Sequence, residues 1–149
     1  MSPGSNRIHI EAYTSDGLTQ ISNLKISGVT DNAASDEIII KVKNASLYAA
    51  SSVLIGVIRS DYLINDPAGE SQDVSYERGS EVVAEKWVEA RLLETDAWTP
   101  IAEAPVDSFE IGALAAGESR TLRLRVNVPA SPSSSFDIYF CFVFRALAA

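Results

Sequence analysis

A single histidine and a single cysteine stand at opposite ends of this 149-residue chain, His9 near the start and Cys141 near the finish. A serine nucleophile needs a base beside it, and zinc needs clustered His or Cys ligands. Neither pattern occurs, and there is no Gly-x-Ser-x-Gly elbow, phosphate-cradling glycine loop or dinucleotide fingerprint. Twenty carboxylates offer acid and base partners for hydrolysis, but no motif singles out two of them. The reading is therefore of a chain with no catalytic residues, no cofactor and no resident metal. Calcium is the one ion for which ligands crowd together, in Asp61, Asp66, Glu70 and Asp73. Their spacing is not that of an EF-hand loop, and Asp66-Pro-Ala-Gly69 interrupts the alternation such a loop uses. Asn44-Ala-Ser46 spells a glycosylation acceptor. Trp87, Trp98, Tyr62 and Tyr76 would make either a sugar-stacking platform or, more simply for the tryptophans, sandwich core.

The elements that would position these residues are set by composition and period. Hydrophobic residues make up 46% and charged residues 21%, which is globular composition, and no apolar run approaches the roughly 20 residues a spanning helix needs. The N-terminus, MSPGSNRIHIEAY, lacks a basic region followed by an apolar core and a cleavage site, so the chain is expected to be made in the cytosol without a signal peptide. The lone Cys141 fits a reducing compartment and reads as a small strand residue. A net charge of −8 argues against a nucleic-acid partner. That charge is uneven: residues 61–118 hold fourteen acids and three bases, or −11, while the remainder is +3. An electrically lopsided molecule can orient a partner or another copy of itself.

Period-two alternation runs from end to end. Candidate strands are Arg7 to Ala12, Leu18 to Gly28, Glu37 to Asn44, Ser52 to Ile58, Glu81 to Leu93 and Trp98 to Ile101. The Glu81 to Leu93 stretch also has near-helical spacing, but Val82, Val83, Trp87 and Val88 favour strand. Gly112 to Gly117 reads as a turn into a regular strand in which Leu122, Leu124, Val126 and Val128 are buried. Arg120, Arg123, Arg125 and Asn127 are expected to face water, and Pro129 ends the ladder. On the last strand Phe136, Ile138, Phe140, Phe142 and Phe144 share a core face. Arg59 to Ser80 holds no sustained period. The expectation is one domain over residues 1–149, an all-β antiparallel sandwich of about eight or nine strands, with an N-terminal arm or extra strand at about residues 1–17.

Two segments resemble a family. Ile38-Ile-Ile-Lys-Val-Lys-Asn-Ala-Ser46 with Ala49-Ala-Ser-Ser-Val-Leu-Ile55 resembles the strand, Asn-small-Gly/Ser, Ala-x-x-Val pattern of bacterial and phage immunoglobulin-like domains. Ile111-Gly-Ala-Leu-Ala-Ala-Gly-Glu-Ser119, with its strand and Val128-Pro129, resembles the strand that closes such domains. The likeness covers roughly residues 20–147. Trp87-Val-Glu-Ala-Arg91, Trp98-Thr-Pro-Ile101, the Gly-Glu-Ser strand and the terminal Phe-x-Phe-x-Phe-Arg145 are similar in arrangement to small bacteriophage tail and baseplate accessory proteins. Many bacterial immunoglobulin-like modules are secreted tandem repeats, a pattern this sequence departs from. The resemblance implies a non-enzymatic structural protein of a virion, in tail, baseplate or capsid, made in the host cytoplasm. Its implied partners are other virion proteins or copies of itself in an oligomeric assembly, without nucleic acid or membrane. Arg120, Arg123 and Arg125 are the candidate basic side of that docking. The other reading is a module that binds carbohydrate or a host surface.

Overall fold

The computed structural model describes residues 8–21, 23–30, 32–59, 83, 85–103, 109–129 and 135–149, with backbone alone for 23, 25–30, 59 and 135–142. The chain is all-β. Eleven strands occur among the described residues: β1 Ile10–Thr14, β2 Gln20–Ile21, β3 Asn23–Thr30, β4 Ala33–Ala34, β5 Ile38–Asn44, β6 Ala50–Arg59, β7 Val88–Arg91, β8 Thr99–Pro100, β9 Phe109–Leu114, β10 Ser119–Val128 and β11 Ser135–Ala148. They form two antiparallel sheets. The larger runs β2-β1-β5-β10-β7-β8 with β4 also on β10, and the smaller runs β3-β11-β6-β9.

The alternation read from the sequence decides which side chains lie between the sheets. Ile40, Val42, Val88, Ala90, Leu122, Leu124 and Val126 come from the larger sheet, and Val53, Ile55, Val57, Ile111 and Leu114 from the smaller. They make one continuous core. Burying each such Val, Leu or Ile contributes about 1.5–3 kcal/mol, so period-two spacing alone supplies most of the drive to stack two sheets. Phe144 and Ala146 pair with Ile55 and Val53 and pack against the same core, as the phenylalanine row requires. The side chains of Phe136, Ile138, Phe140, Cys141 and Phe142 lie outside the described residues.

Three expectations change. The stretch Leu18 to Gly28 is two strands, because β2 pairs with β1 in the larger sheet and β3 with β11 in the smaller. One straight strand cannot serve both layers. The strand expected over Glu81 to Leu93 begins only at Val88: Lys86 takes a left-handed φ of 59° and its N–H donates to the Val83 carbonyl, closing a turn ahead of it. Gly112 is in strand β9, at an irregular register with β6, and the turn is Ala115 to Glu118 instead. There Gly117 supplies the positive φ of 76° that the reversal needs.

Asn44 locks that turn to the end of β5. Its side chain is fully buried and donates to the Tyr48 and Leu114 carbonyls at 2.8 and 3.1 Å, while Oδ1 accepts from the Ser46 N–H at 3.0 Å. Its backbone exchanges hydrogen bonds with Gly117 N and Glu118 O. The two segments that carry the family resemblance therefore meet at one residue. An amide whose two hydrogens are both committed inside the core is closed to glycosylation, which disposes of Asn44-Ala-Ser46 as an acceptor in the folded chain.

Candidate functional site

The outer face of the larger sheet carries the densest array of charged and aromatic side chains among the described residues. Pleating turns Arg123 and Arg125 of β10, Glu89 and Arg91 of β7, and Ile39, Lys41 and Lys43 of β5 to this face, opposite the buried rows. Register places Arg123 directly across from Arg91. Like charges so placed repel, and Glu37, just before β5, resolves the conflict. One carboxylate oxygen accepts from Arg91 Nη2 at 2.7 Å and the other from Arg123 Nη1 at 2.5 Å. The two guanidinium groups, Arg91 first, hold the Glu37 carboxyl below its ordinary range and so keep it ionised. Arg125 faces Glu89 across the same strand pair and donates to it from Nε at 2.7 Å.

Trp98, at the entrance to β8, completes the array. The guanidinium carbons of Arg91 and Arg125 lie 4.3 and 4.5 Å from its ring centroid, within cation–π range. Trp87 is 3% exposed and donates from Nε1 to Glu85, so it is core rather than platform. What results is a surface on which Arg91, Arg123 and Arg125 each have a carboxylate or ring partner.

The three arginines named from the sequence do not act alike. Arg123 and Arg125 do share the outer face, but their side chains are only 16% and 26% exposed, their charge already taken up by Glu37 and Glu89. The expectation that they simply face water is corrected by register. Arg120 lies on the opposite parity, toward the gap between the sheets. Its Nη1 and Nη2 donate to the Ile111 and Ala113 carbonyls of β9, each at 2.8 Å, tying the two sheets together. Gly112 between those carbonyls has a φ of 105°, and a Cβ there would sit 2.8 Å from Arg120 Nη1. The positive φ is what favours glycine here, since the tip of a flexible guanidinium can give way.

Sequence reading missed Lys41 and Lys43 as site residues. Both are half-buried on the outer face, beside Tyr13 and Glu11 on one flank and Thr121 and Ser119 on the other. Among the described residues no carboxylate lies within ion-pair distance of either ammonium. The signal was available in the pattern Ile39-x-Lys41-x-Lys43, which puts two cations on one face.

At the β1 edge a cleft of about 380 Å³ opens between Ile8, Ile10, Ile21, Phe144 and Ala146, with His9 and Glu11 at its lip. His9 Nε2 is 2.8 Å from Glu11, and the Tyr13 hydroxyl donates to the other carboxylate oxygen. The Tyr13 hydrogen bond, followed by the influence of His9 and Lys43, outweighs burial and holds the Glu11 carboxyl below its ordinary range. A general acid needs the reverse shift. Asp61, Asp66, Glu70, Asp73, Tyr62 and Tyr76 lie outside the described residues, as does the part of the expected N-terminal arm or strand before residue 8, whose remainder holds β1. No protein-family model, curated protein or solved structure matches the chain.

Proposed function

We propose that this chain is a non-enzymatic structural protein of a bacteriophage or prophage virion, an immunoglobulin-like accessory piece of tail, baseplate or capsid that docks through protein–protein contacts. The observation that carries the docking part is the outer face of the larger sheet, where Arg91, Arg123, Arg125 and Trp98 are held in place by Glu37 and Glu89. Arginine and tryptophan are the residue types that dominate binding energy at interfaces, and prior fixing of their side chains lowers the ordering cost of association. The virion part rests on the similarity in arrangement of Trp87-Val-Glu-Ala-Arg91, Trp98-Thr-Pro-Ile101, the Gly-Glu-Ser strand and the terminal Phe-x-Phe-x-Phe-Arg145 to small tail and baseplate proteins, and the immunoglobulin-like part on the two segments that join at Asn44. The glycan-binding reading is less favoured, because Trp87 is buried and two guanidinium groups lie over the ring of Trp98.

Particles purified by density gradient from the induced source strain test this reading. The chain should band with the particles in fixed proportion to the major structural proteins and stay bound through a second gradient. A chain abundant in the lysate and missing from the particles overturns the virion assignment. Trp98→Ala should lower occupancy several-fold, as expected for an interface anchor, without loss of fold.

A further inference from the structure

The lysine row and the β7–β8 hairpin tip complement each other in charge. The tip, residues 93–97, is exposed throughout: Leu93 is 63% exposed, the Glu94 side chain is 75% exposed, and Asp96 follows two residues later. Glu94 reaches over the outer face toward Arg123 Nη1 at 3.5 Å, so the tip and the lysines share one face of the larger sheet. The row opposite is Ile39, 38% exposed, followed by Lys41 and Lys43. Successive cations on one strand face stand about 7 Å apart at roughly 3.4 Å per residue. Each surface thus offers one aliphatic side chain and then two like charges, of opposite sign on the two surfaces.

Within one molecule the two features lie on either side of β10, since β5 and β7 are its neighbours. Strands about 4.8 Å apart put them about 10 Å from each other. A two-fold axis perpendicular to the sheet face could not exchange them between two molecules, but one lying in the plane between two facing sheets, near β10, brings the tip of each copy over the lysines of the other. Two identical contacts then form at once, the self-complementary arrangement of a symmetric dimer. Copies carrying −8 each repel at long range, and opposite charges set face to face offset that repulsion. Lys41 and Lys43 are cations without an ion-pair partner among the described residues, and Glu94 and Asp96 belong to the segment that carries −11.

We propose that two copies of this chain associate face to face through the outer face of the larger sheet, with Glu94 and Asp96 of each copy on Lys41 and Lys43 of the other. This names the partner for the docking surface and rests on that reading of the face, not on the virion assignment.

Sedimentation velocity on the full chain tests it, with two charge-reversed variants, Lys41→Glu/Lys43→Glu and Glu94→Lys/Asp96→Lys. The unaltered chain should form a dimer that weakens as salt rises, because exposed charges are screened beyond about 8 Å at physiological ionic strength. Each variant alone should dimerise about tenfold or more weakly at low salt, since two attractive contacts per copy become repulsive. Mixed together, the two variants should recover a dimer, because every lysine or glutamate row then meets a tip of opposite sign. That recovery requires both variants to be folded. An unaltered chain that stays monomeric, variants that dimerise as well as the parent, or a mixture that does not recover would each overturn the proposal. The particle experiment is independent of all three: a monomer that still bands with particles leaves the virion reading standing and removes the second copy as partner.

Discussion

Replacing Glu37 by Ala should destabilise the fold by roughly 2–4 kcal/mol, a large effect for a residue at the edge of a strand. Its carboxylate bridges Arg91 at 2.7 Å and Arg123 at 2.5 Å, with side-chain exposures of 24% for Glu37, 19% for Arg91 and 16% for Arg123. Hydrogen bonds to charged groups contribute about 1.5–3 kcal/mol when buried, and exposed ion pairs about 0.2–1. These contacts lie between the limits, nearer the first, so about 1–2 kcal/mol attaches to each arginine. The substitution also leaves Arg91 and Arg123 opposed without a counter-charge. Urea titrations of parent, Glu37→Ala and Glu37→Gln would measure it, with an unchanged slope confirming that only stability moved. The pH dependence follows from the direction of the shift. A carboxyl whose folded pKa lies below its ordinary value of 4.5 gives its full stabilisation above that value and loses it as pH falls through the folded one. The gap between parent and Glu37→Gln should therefore be constant from about pH 7 to pH 5 and narrow below. A loss under about 1 kcal/mol, or a gap that stays flat to pH 3, would refute the bridge as a structural link.

Two further predictions concern the joints that hold the face in place. Asn44→Ala should cost about 2–4 kcal/mol in the same titrations, because it strands the Leu114 carbonyl and the Ser46 N–H, the Tyr48 carbonyl keeping the Ser46 hydroxyl, whereas Ser46→Ala should cost about 1. Gly112→Ala should cost about 1–3 kcal/mol through its φ of 105° and the contact with Arg120, and the double variant with Arg120→Ala should cost less than the sum of the two, since removing the guanidinium relieves that contact.

Much of the fold was legible because a strand's period is local information. Leu122, Leu124, Val126 and Val128 alternate with polar residues, and that alone assigns them to the core. Pairing is not local. Nothing in the run Glu81 to Leu93 announces that Lys86 adopts a left-handed conformation, which cuts the strand to Val88–Arg91. Gly112 is equally opaque: a glycine before Ala-Leu-Ala-Ala-Gly reads as the start of a turn, and only its pairing with Val53 of β6 shows that it is a strand residue.

The same limit explains the candidate site. Alternation puts Arg123 and Arg125 on an outer face, and with no partners in view both are cations available for docking. Register then sets Arg125 against Glu89 and Arg123 against Arg91, with Glu37 drawn between that pair. A charge so committed gives a surface its shape and stiffness more than its attraction, because a partner's carboxylate would have to displace an existing one to use it. Lys41 and Lys43, one strand over, face Tyr13, Glu11, Thr121 and Ser119 and form no ion pair among the described residues. In the proposed dimer, attraction belongs to the lysines and fixed geometry to the arginines, a division that neither row's sequence contains and that only the order β1-β5-β10-β7 creates.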